Sequence, residues 1–209
     1  IGMEACSGAH QWARQFQALG HDVRLMAPKF VIPYRKSGKN DSNDAEAICE
    51  AVSRPSMHFV PVKSVEQQSV LTLHRVRQGF VEERTATMNR VRGLLAEFGV
   101  VLPQRAVELR WLLPAVLEQL PPLAVLAVTD LQAHIAVLDE RISEYERELA
   151  RLTRQNPAAQ RVQALAGVGP LTASALVASV GTAHEFDNGR QFAAWLGLVP
   201  GQYSSGGKQ

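Results

Sequence analysis

Apolar residues recur at helical spacing through most of the chain, and the few places where they alternate at period two mark short strands. In Ala9 to Leu19 the side chains of Trp12, Phe16 and Leu19 fall about one helical turn apart, which predicts a helix closed by Gly20. His21 to Pro28 puts Val23 and Leu25 on one face of a short strand that Pro28 stops. Asp41 to Val52 returns to helical spacing, with Ala45, Ile48 and Val52 as its expected apolar stripe. Strand and helix thus alternate over residues 1–60, as in part of an α/β unit.

From Val65 to Phe98 the pattern is that of one long helix, with Leu73, Val76, Phe80, Val91, Leu95 and Phe98 as its apolar side. Arg75, Arg77, Arg84, Arg90 and Arg92 are spread around it. A second long helix is cleaner: Leu131, Ile135, Leu138, Ile142, Tyr145, Leu149 and Leu152 alternate spacings of 4 and 3, the a/d seam of a coiled coil. Joined through the Pro-containing stretch 103–122, the two predict an antiparallel coiled-coil pair or a dimerisation arm. Asn156-Pro157 ends the seam. In Gln163 to Leu176, Gly167 and Gly169 flank one valine between two helical patterns, the shape of a helix-hairpin-helix and equally of a purely structural turn. Arg190 to Leu198 reads as a short helix leading into a Ser/Gly-rich string. The expected organisation is a partial α/β domain over 1–62, a helical arm over 63–157 and a third unit over 158–209.

Composition narrows the classes rather than choosing one. With 209 residues, 46% hydrophobic and 20% charged, the chain is globular and neither disordered nor collagen-like. Lys+Arg 22 against Asp+Glu 20 leaves a net charge of +2, so a histone-like whole-chain polycation is excluded and any basic face is local. No run approaches the roughly 20 uncharged apolar residues of a membrane span, and Ile1 to His10 lacks the pattern of a signal peptide, so the expectation is a cytoplasmic protein without a membrane partner. Cys6 and Cys49 stand far apart without CxxC spacing, which supports neither zinc nor a disulfide framework. A start at Ile1 and an end inside Ser204-Ser205-Gly206-Gly207-Lys208-Gln209 lead to the expectation of a fragment.

Several residues invite chemistry. Asp41 and Asp44 lie three apart at the start of a helix, where carboxylates either cap free amides or share one face as a Mg²⁺ site needs. Glu4 precedes the first helix after a strand end, a position where α/β folds present ligands. Lys29, Arg35, Lys36 and Lys39 make the most basic stretch of the first domain, suited to phosphates or to solvent. The amides beside Gly167 and Gly169 are suited to a DNA phosphate through the dipole of the following helix. Ser204 and Ser205 expose hydroxyls beside Lys208, a cation suited to hold a phosphate, while the six histidines show no HExxH or comparable pairing.

Taken in order, Met3 to Gly8, Lys39 to Ala45, the Ala166 to Pro170 hairpin and Leu196 to Pro200 followed by Ser204 to Lys208 resemble the DEDD-type insertion-sequence transposases, which include RNA-guided bridge recombinases. The resemblance implies a RuvC-like, RNase H-fold domain, a coiled-coil arm and a C-terminal transposase domain with a helix-hairpin-helix. It implies that Glu4, Asp41 and Asp44 match the second, third and fourth members of a Mg²⁺-binding quartet whose first Asp is absent here. It implies that Ser204, or Ser205 beside it, is a nucleophile toward DNA, with Gly167, Gly169, Lys39 and Lys208 on the DNA. The implied partners are DNA, a structured guide RNA and further copies of the chain, as a dimer or tetramer, in a bacterial cytoplasm at the nucleoid. Two other classes stand beside this one: a RuvC-like nuclease using metal-activated water without a covalent step, and an inactive DNA-binding, dimerising remnant.

Overall fold

The computed structural model describes residues 1–36, 38 and 40–198, which divide into two compact units: residues 1–64 with the stretch from 180 onward, and residues 65–179. This division differs from the three-part expectation, because residues 158–179 group with the helical arm rather than with the chain that follows them.

In the first unit, strand β1 (Gly2–Glu4) is followed by helix α1 (Ala9–Ala18), strand β2 (Arg24–Met26), a single helical turn α2 (Pro28–Val31) with a 3-10 turn at Ile32–Tyr34, helix α3 (Asp41–Val52) and the short strand β3 (Phe59–Val60). The sheet order is β1-β2-β3, with β1 parallel to β2 in the register Met3 to Leu25, and β2 antiparallel to β3 in the register Met26 to Phe59. Successive side chains of a strand point to opposite faces, and β2 uses this fully. Leu25 enters a cluster with Ala9, Ala13 and Val23, while Met26 enters another with Val31, Ala47 and Ala51. The expected helix at Ala9 is present, and it closes with Gly20 N–H on the Gln17 carbonyl and His21 N–H on the Phe16 carbonyl, sealed by the Phe16 ring against His21.

Helix α3 has the expected bounds, but its packed face is rotated from the expected stripe. Ala47 and Ala51 are buried with Ile48 and Val52 beside them, and Ala45 is exposed. The small alanines let the helix lie close to the sheet: a Cβ on Gly2 would stand 2.9 Å from Cβ of Val52, so only glycine fits at this crossing of β1 and α3. The unit also holds helix α9, which begins after the second unit's last helix; it spans Gly189–Trp195, where Phe186, Phe192 and Trp195 form an aromatic trio with centroids 5.2–6.2 Å apart.

The regular elements of the second unit are all helices among its described residues: α4 (Val65–Ala96), α5 (Ala106–Leu117), α6 (Pro122–Gln155), α7 (Pro157–Gln163) and α8 (Pro170–Val180), the last residue of which is counted with the first unit. Of the expected seam of α6, Ile135, Leu138, Ile142 and Leu149 are buried and Leu131, Tyr145 and Leu152 only half-buried, while Val128 extends the buried stripe toward the helix start. Its neighbour is α4 of the same chain, and three polar pairs fix the register. Arg77 Nε donates to Glu146 at 2.9 Å and Arg84 to Asp139 at 2.8 Å, so positions rise along α4 as they fall along α6 and the pair is antiparallel; His134 lies 2.9 Å from Glu83 further along the same pair. The stretch 103–122, expected as a connection, contains α5, which runs through Pro114 and buries Leu109 and Leu113 against Met88, Val91 and Leu95 of α4. Phe98, expected on the apolar side, falls beyond the end of α4 and is exposed.

Helix α6 is by length and composition alone apolar enough to cross a bilayer, which differs from the expectation that no run comes near that length; Asp130 and Asp139 lie within it, and its buried stripe packs on α4. Leu95, fully buried, is expected to cost about 2–5 kcal/mol when changed to Ala. Its partly exposed neighbour Leu94 changed to Ala should cost under about 1 kcal/mol. Urea unfolding followed by far-UV circular dichroism measures both, and equal losses would contradict this packing.

Candidate functional site

The first set of candidates gathers around the start of α3. Asn40 is the N-cap: its Oδ1 accepts from Asn43 N–H at 2.8 Å, so capping belongs to Asn40 and neither Asp41 nor Asp44 is needed for it. Both aspartates complement the helix dipole from the first turn. Asp41 is exposed, whereas Asp44 is half-buried and accepts from Arg35 Nη1 at 3.3 Å. Lys36 is paired with Glu46 on the same helix, and this exposed bond raises the lysine pKa above its ordinary value. The basic stretch before α3 is therefore partly spent on the acids that follow it. Lys29, further back, rides over the Phe30 ring at 4.9 Å, and Lys39 lies outside the described residues.

Glu4 ends β1 as expected, with its carbonyl accepting from Cys6 N–H at 2.8 Å and its side chain half-buried. Among the described residues no group of three or more His, Cys, Asp or Glu side chains is arranged to hold a metal ion. Glu4, Asp41 and Asp44 thus do not form a three-carboxylate site in this arrangement, and Asp44 already has a cation in Arg35. The residues present do not by themselves fit a divalent cation.

The second set lies at the N-terminal end of α8. Asn156 ends α6 and caps α7, its Oδ1 accepting from Ala158 and Ala159 N–H at 2.9 and 3.1 Å, with Pro157 at the first helical position. After α7 the chain turns through Gly167, whose φ of +83° suits glycine and strains any other residue. Gly169 then leads directly into Pro170. Two buried hydroxyls hold this end of α8. Thr153 Oγ1 of α6 lies 3.0 Å from the Pro170 carbonyl, and Ser174 Oγ lies 2.9 Å from the same carbonyl and 3.0 Å from His74 Nε2 of α4. Beside Gly169, Pro170, Leu171 and Thr172 a shallow groove of about 540 Å³ opens against Ser143, Glu146 and Arg147 of α6. Glu146 is engaged by Arg77, and Arg147 has no ion pair among the described residues.

Ser204, Ser205 and Lys208 lie outside the described residues. Sequence reasoning missed Arg35 as the partner of Asp44, and missed Arg147 and the His74–Ser174 contact at α8. Arg147 follows Glu146 beside the seam, and no local pattern joins position 74 to position 174.

The chain has clear relatives. The transposase family IS116/IS110/IS902 matches residues 159–209, and a DEDD-type IS110 model described as transposase matches residues 1–99. The "Probable family 20 transposase" of Pseudomonas aeruginosa is 50% identical over 215 residues, covering 100% of this chain and 63% of that protein. The transposase for insertion sequence element IS1328 of Yersinia enterocolitica is 45% identical over 209 residues, with 100% and 63% covered. The transposase for insertion sequence element IS1111A of Coxiella burnetii is 45% identical over 213 residues, with 100% and 58% covered. The chain spans about three fifths of the length of these relatives.

The anchorage of α8 carries a pH dependence. Burial, and then the charge of Arg77, hold the His74 pKa below its ordinary value of 6.5. The unfolded chain therefore binds the proton more tightly, so the contribution of neutral His74 is complete above pH 6.5 and is lost as pH falls through that value toward the folded pKa. The urea midpoint is expected to decline below about pH 6.5, with the decline reduced in His74→Gln. An identical pH profile for the two proteins would remove His74 from this role.

Proposed function

Because the chain belongs to the IS116/IS110/IS902 family of transposases, we propose that it is a large part of an insertion-sequence transposase that cuts and rejoins DNA through a serine nucleophile. The observation that carries the reading is the match of two transposase models in order along one chain, one over the segment with Glu4, Asp41 and Asp44 and one over the segment with Gly167, Gly169, Ser204 and Ser205. In the proposed step Ser204 Oγ, or Ser205 Oγ, attacks a backbone phosphorus; the new O–P bond forms as the phosphodiester bond to one strand end breaks, and that end leaves as a hydroxyl carrying the serine's proton. Attack by the hydroxyl of a second strand end reverses the exchange and restores the serine. Lys208 beside the serines is proposed to hold the phosphate.

The cation assigned to Glu4, Asp41 and Asp44 in the longer protein is Mg²⁺, a hard ion that takes few carboxylates and keeps waters. Such a site requires Asp44 to leave Arg35 and further carboxylates to join it. DNA is the proposed substrate and a structured RNA the proposed guide, in the bacterial cytoplasm at the nucleoid. The α7–α8 turn is read as a helix-hairpin-helix that grips one phosphate: Gly169, Leu171 and Thr172, whose amides flank the N–H-less Pro170, line the groove and Arg147 supplies the charge. The antiparallel α4–α6 pair is read as the coiled-coil arm, and Lys39 as a phosphate contact beside α3.

Three measurements test this reading. Mixed with DNA of the insertion-sequence ends and guide RNA, the full-length protein is expected to give a covalent protein–DNA adduct that survives denaturation and disappears in Ser204→Ala or Ser205→Ala. Cleavage that persists without an adduct in both variants would instead establish the hydrolytic nuclease. Calorimetric Mg²⁺ titration should show heat that is lost in Asp41→Asn and Asp44→Asn, and heat unaffected by either ends the metal assignment. Arg147→Gln should weaken DNA binding by about tenfold and lower the slope of log affinity against log salt by about 1, whatever the DNA sequence.

A further inference from the structure

We propose that the hollow beside helix α9 is a binding site for an unpaired base of a nucleic-acid strand. The hollow, of about 320 Å³, lies where the chain enters the helix and is lined by Ala183, Phe186, Asn188, Gly189 and Phe192. That volume is at the lower end of the range that holds small ligands. Two of its walls are aromatic: the Phe186 and Phe192 ring centroids stand 5.2 Å apart with their planes inclined at 67°. A flat heterocycle entering this corner lies on the face of one ring and meets the edge of the other, the two arrangements that aromatic pairs favour. Trp195 carries the surface outward, its plane within 12° of Phe192 and its side chain 52% exposed, so the next base of the strand has a second ring to lie on.

The polar groups around the hollow suit a base with its phosphate better than an apolar side chain. Asn188 spends its Oδ1 on the Gln191 N–H at 3.0 Å, which leaves its Nδ2 without a partner among the described residues, a donor for an acceptor on a base edge. Arg190, next along the helix, is exposed and has no ion pair among the described residues, whereas Asp187 is held by Gln191 at 2.8 Å. A cation is thus available for the phosphate while the neighbouring carboxylate is engaged. The hollow is also kept bare from within. A Cβ on Gly189 would meet nothing within 4 Å, and Ala183 is the one non-glycine among the described residues with a positive φ, +61°. A strained residue persists only where its surroundings hold it, and here it lines the hollow. The inference rests on the reading of the chain as a nucleic-acid enzyme, since the hollow lies in the stretch matched by the IS116/IS110/IS902 family, and it adds single-strand recognition to that reading.

With Trp12→Phe and Trp111→Phe, Trp195 is the one tryptophan left in the 209-residue chain and reports on the site directly. A single-stranded oligonucleotide of about 15 nucleotides is expected to quench its fluorescence, and the duplex of the same sequence to leave it unchanged. By anisotropy of the labelled strand, Trp195→Ala should weaken single-strand binding about tenfold, and Gly189→Val, which fills the hollow, should do the same. Arg190→Gln should lower the slope of log affinity against log salt by about 0.7. The same sequence offered as DNA and as RNA assigns the base: tighter DNA binding places an opened DNA strand there, tighter RNA binding the guide, and equal affinity both. Equal quenching by duplex and single strand, or single-strand affinity indifferent to both Trp195→Ala and Gly189→Val, overturns the proposal. Either result leaves the covalent adduct and its loss in the serine variants untouched, so this failure is distinct from failure of the transposase reading. Should Trp195→Ala fail to fold, Gly189→Val decides alone, because its first side-chain carbon enters open space.

Discussion

The packing of α6 on α4 is the constraint to which the rest of the second unit answers. Once Val128, Ile135, Leu138, Ile142 and Leu149 are committed to that seam, and Arg77–Glu146 and Arg84–Asp139 fix its register, the remaining faces of both helices are assigned. Deep in the seam, Thr153 puts its hydroxyl on the Pro170 carbonyl, and from α4 His74 meets Ser174, so the start of α8 is held by both long helices. At the other end the same two helices receive Leu109 and Leu113 of α5. A hydrophobic seam thus determines where the groove at α8 opens and where the apolar outer face of α5 is left.

In the first unit the corresponding constraint is β2, whose two neighbouring side chains serve opposite clusters. Leu25 faces α1 and Met26 faces α3, so the strand is clad on both sides and the start of α3 lies against the sheet. The carboxylates there illustrate how electrostatics settles a helix terminus. Asn40 takes the capping role, the dipole favours Asp41 and Asp44, and Arg35 neutralises the half-buried one of the two. A carboxylate leaving water needs a counter-charge, and the nearest cation in the chain supplies it.

How much of this was legible follows from what a local pattern can encode. The 3.5-residue period of α6 and the helix at Ala9 were read correctly, because periodicity reports a one-sided environment directly. The face of α3 is legible only in part: Ile48 and Val52 pack on the cluster as their spacing predicts, but Ala45 is exposed and Ala47 and Ala51 are buried, because small residues carry little hydropathy to choose between the two stripes. The connection holding α5 was read through its prolines, yet Pro114 lies inside a helix whose Leu109 and Leu113 are in the core, so tertiary packing overrode the breaker. Asp41 and Asp44 were found by spacing, whereas their relation to Arg35 and Asn40 needed coordinates.

The fate of the heptad pattern shows where a sequence argument stops. An a/d seam states that a helix will bury one stripe; it does not state whose helix will cover it. Here the covering helix is α4 of the same chain, so the seam carries no information about assembly. What bears on assembly is the apolar surface left after every intramolecular partner has been assigned, and that remainder is visible only when burial is known residue by residue. Trp111 and Leu113 are two positions apart in an almost wholly apolar helix, one exposed and one fully buried. Hydropathy gives them similar weight, and only the packing of α5 on α4 and α6 separates a core residue from a residue that water or a second molecule must cover.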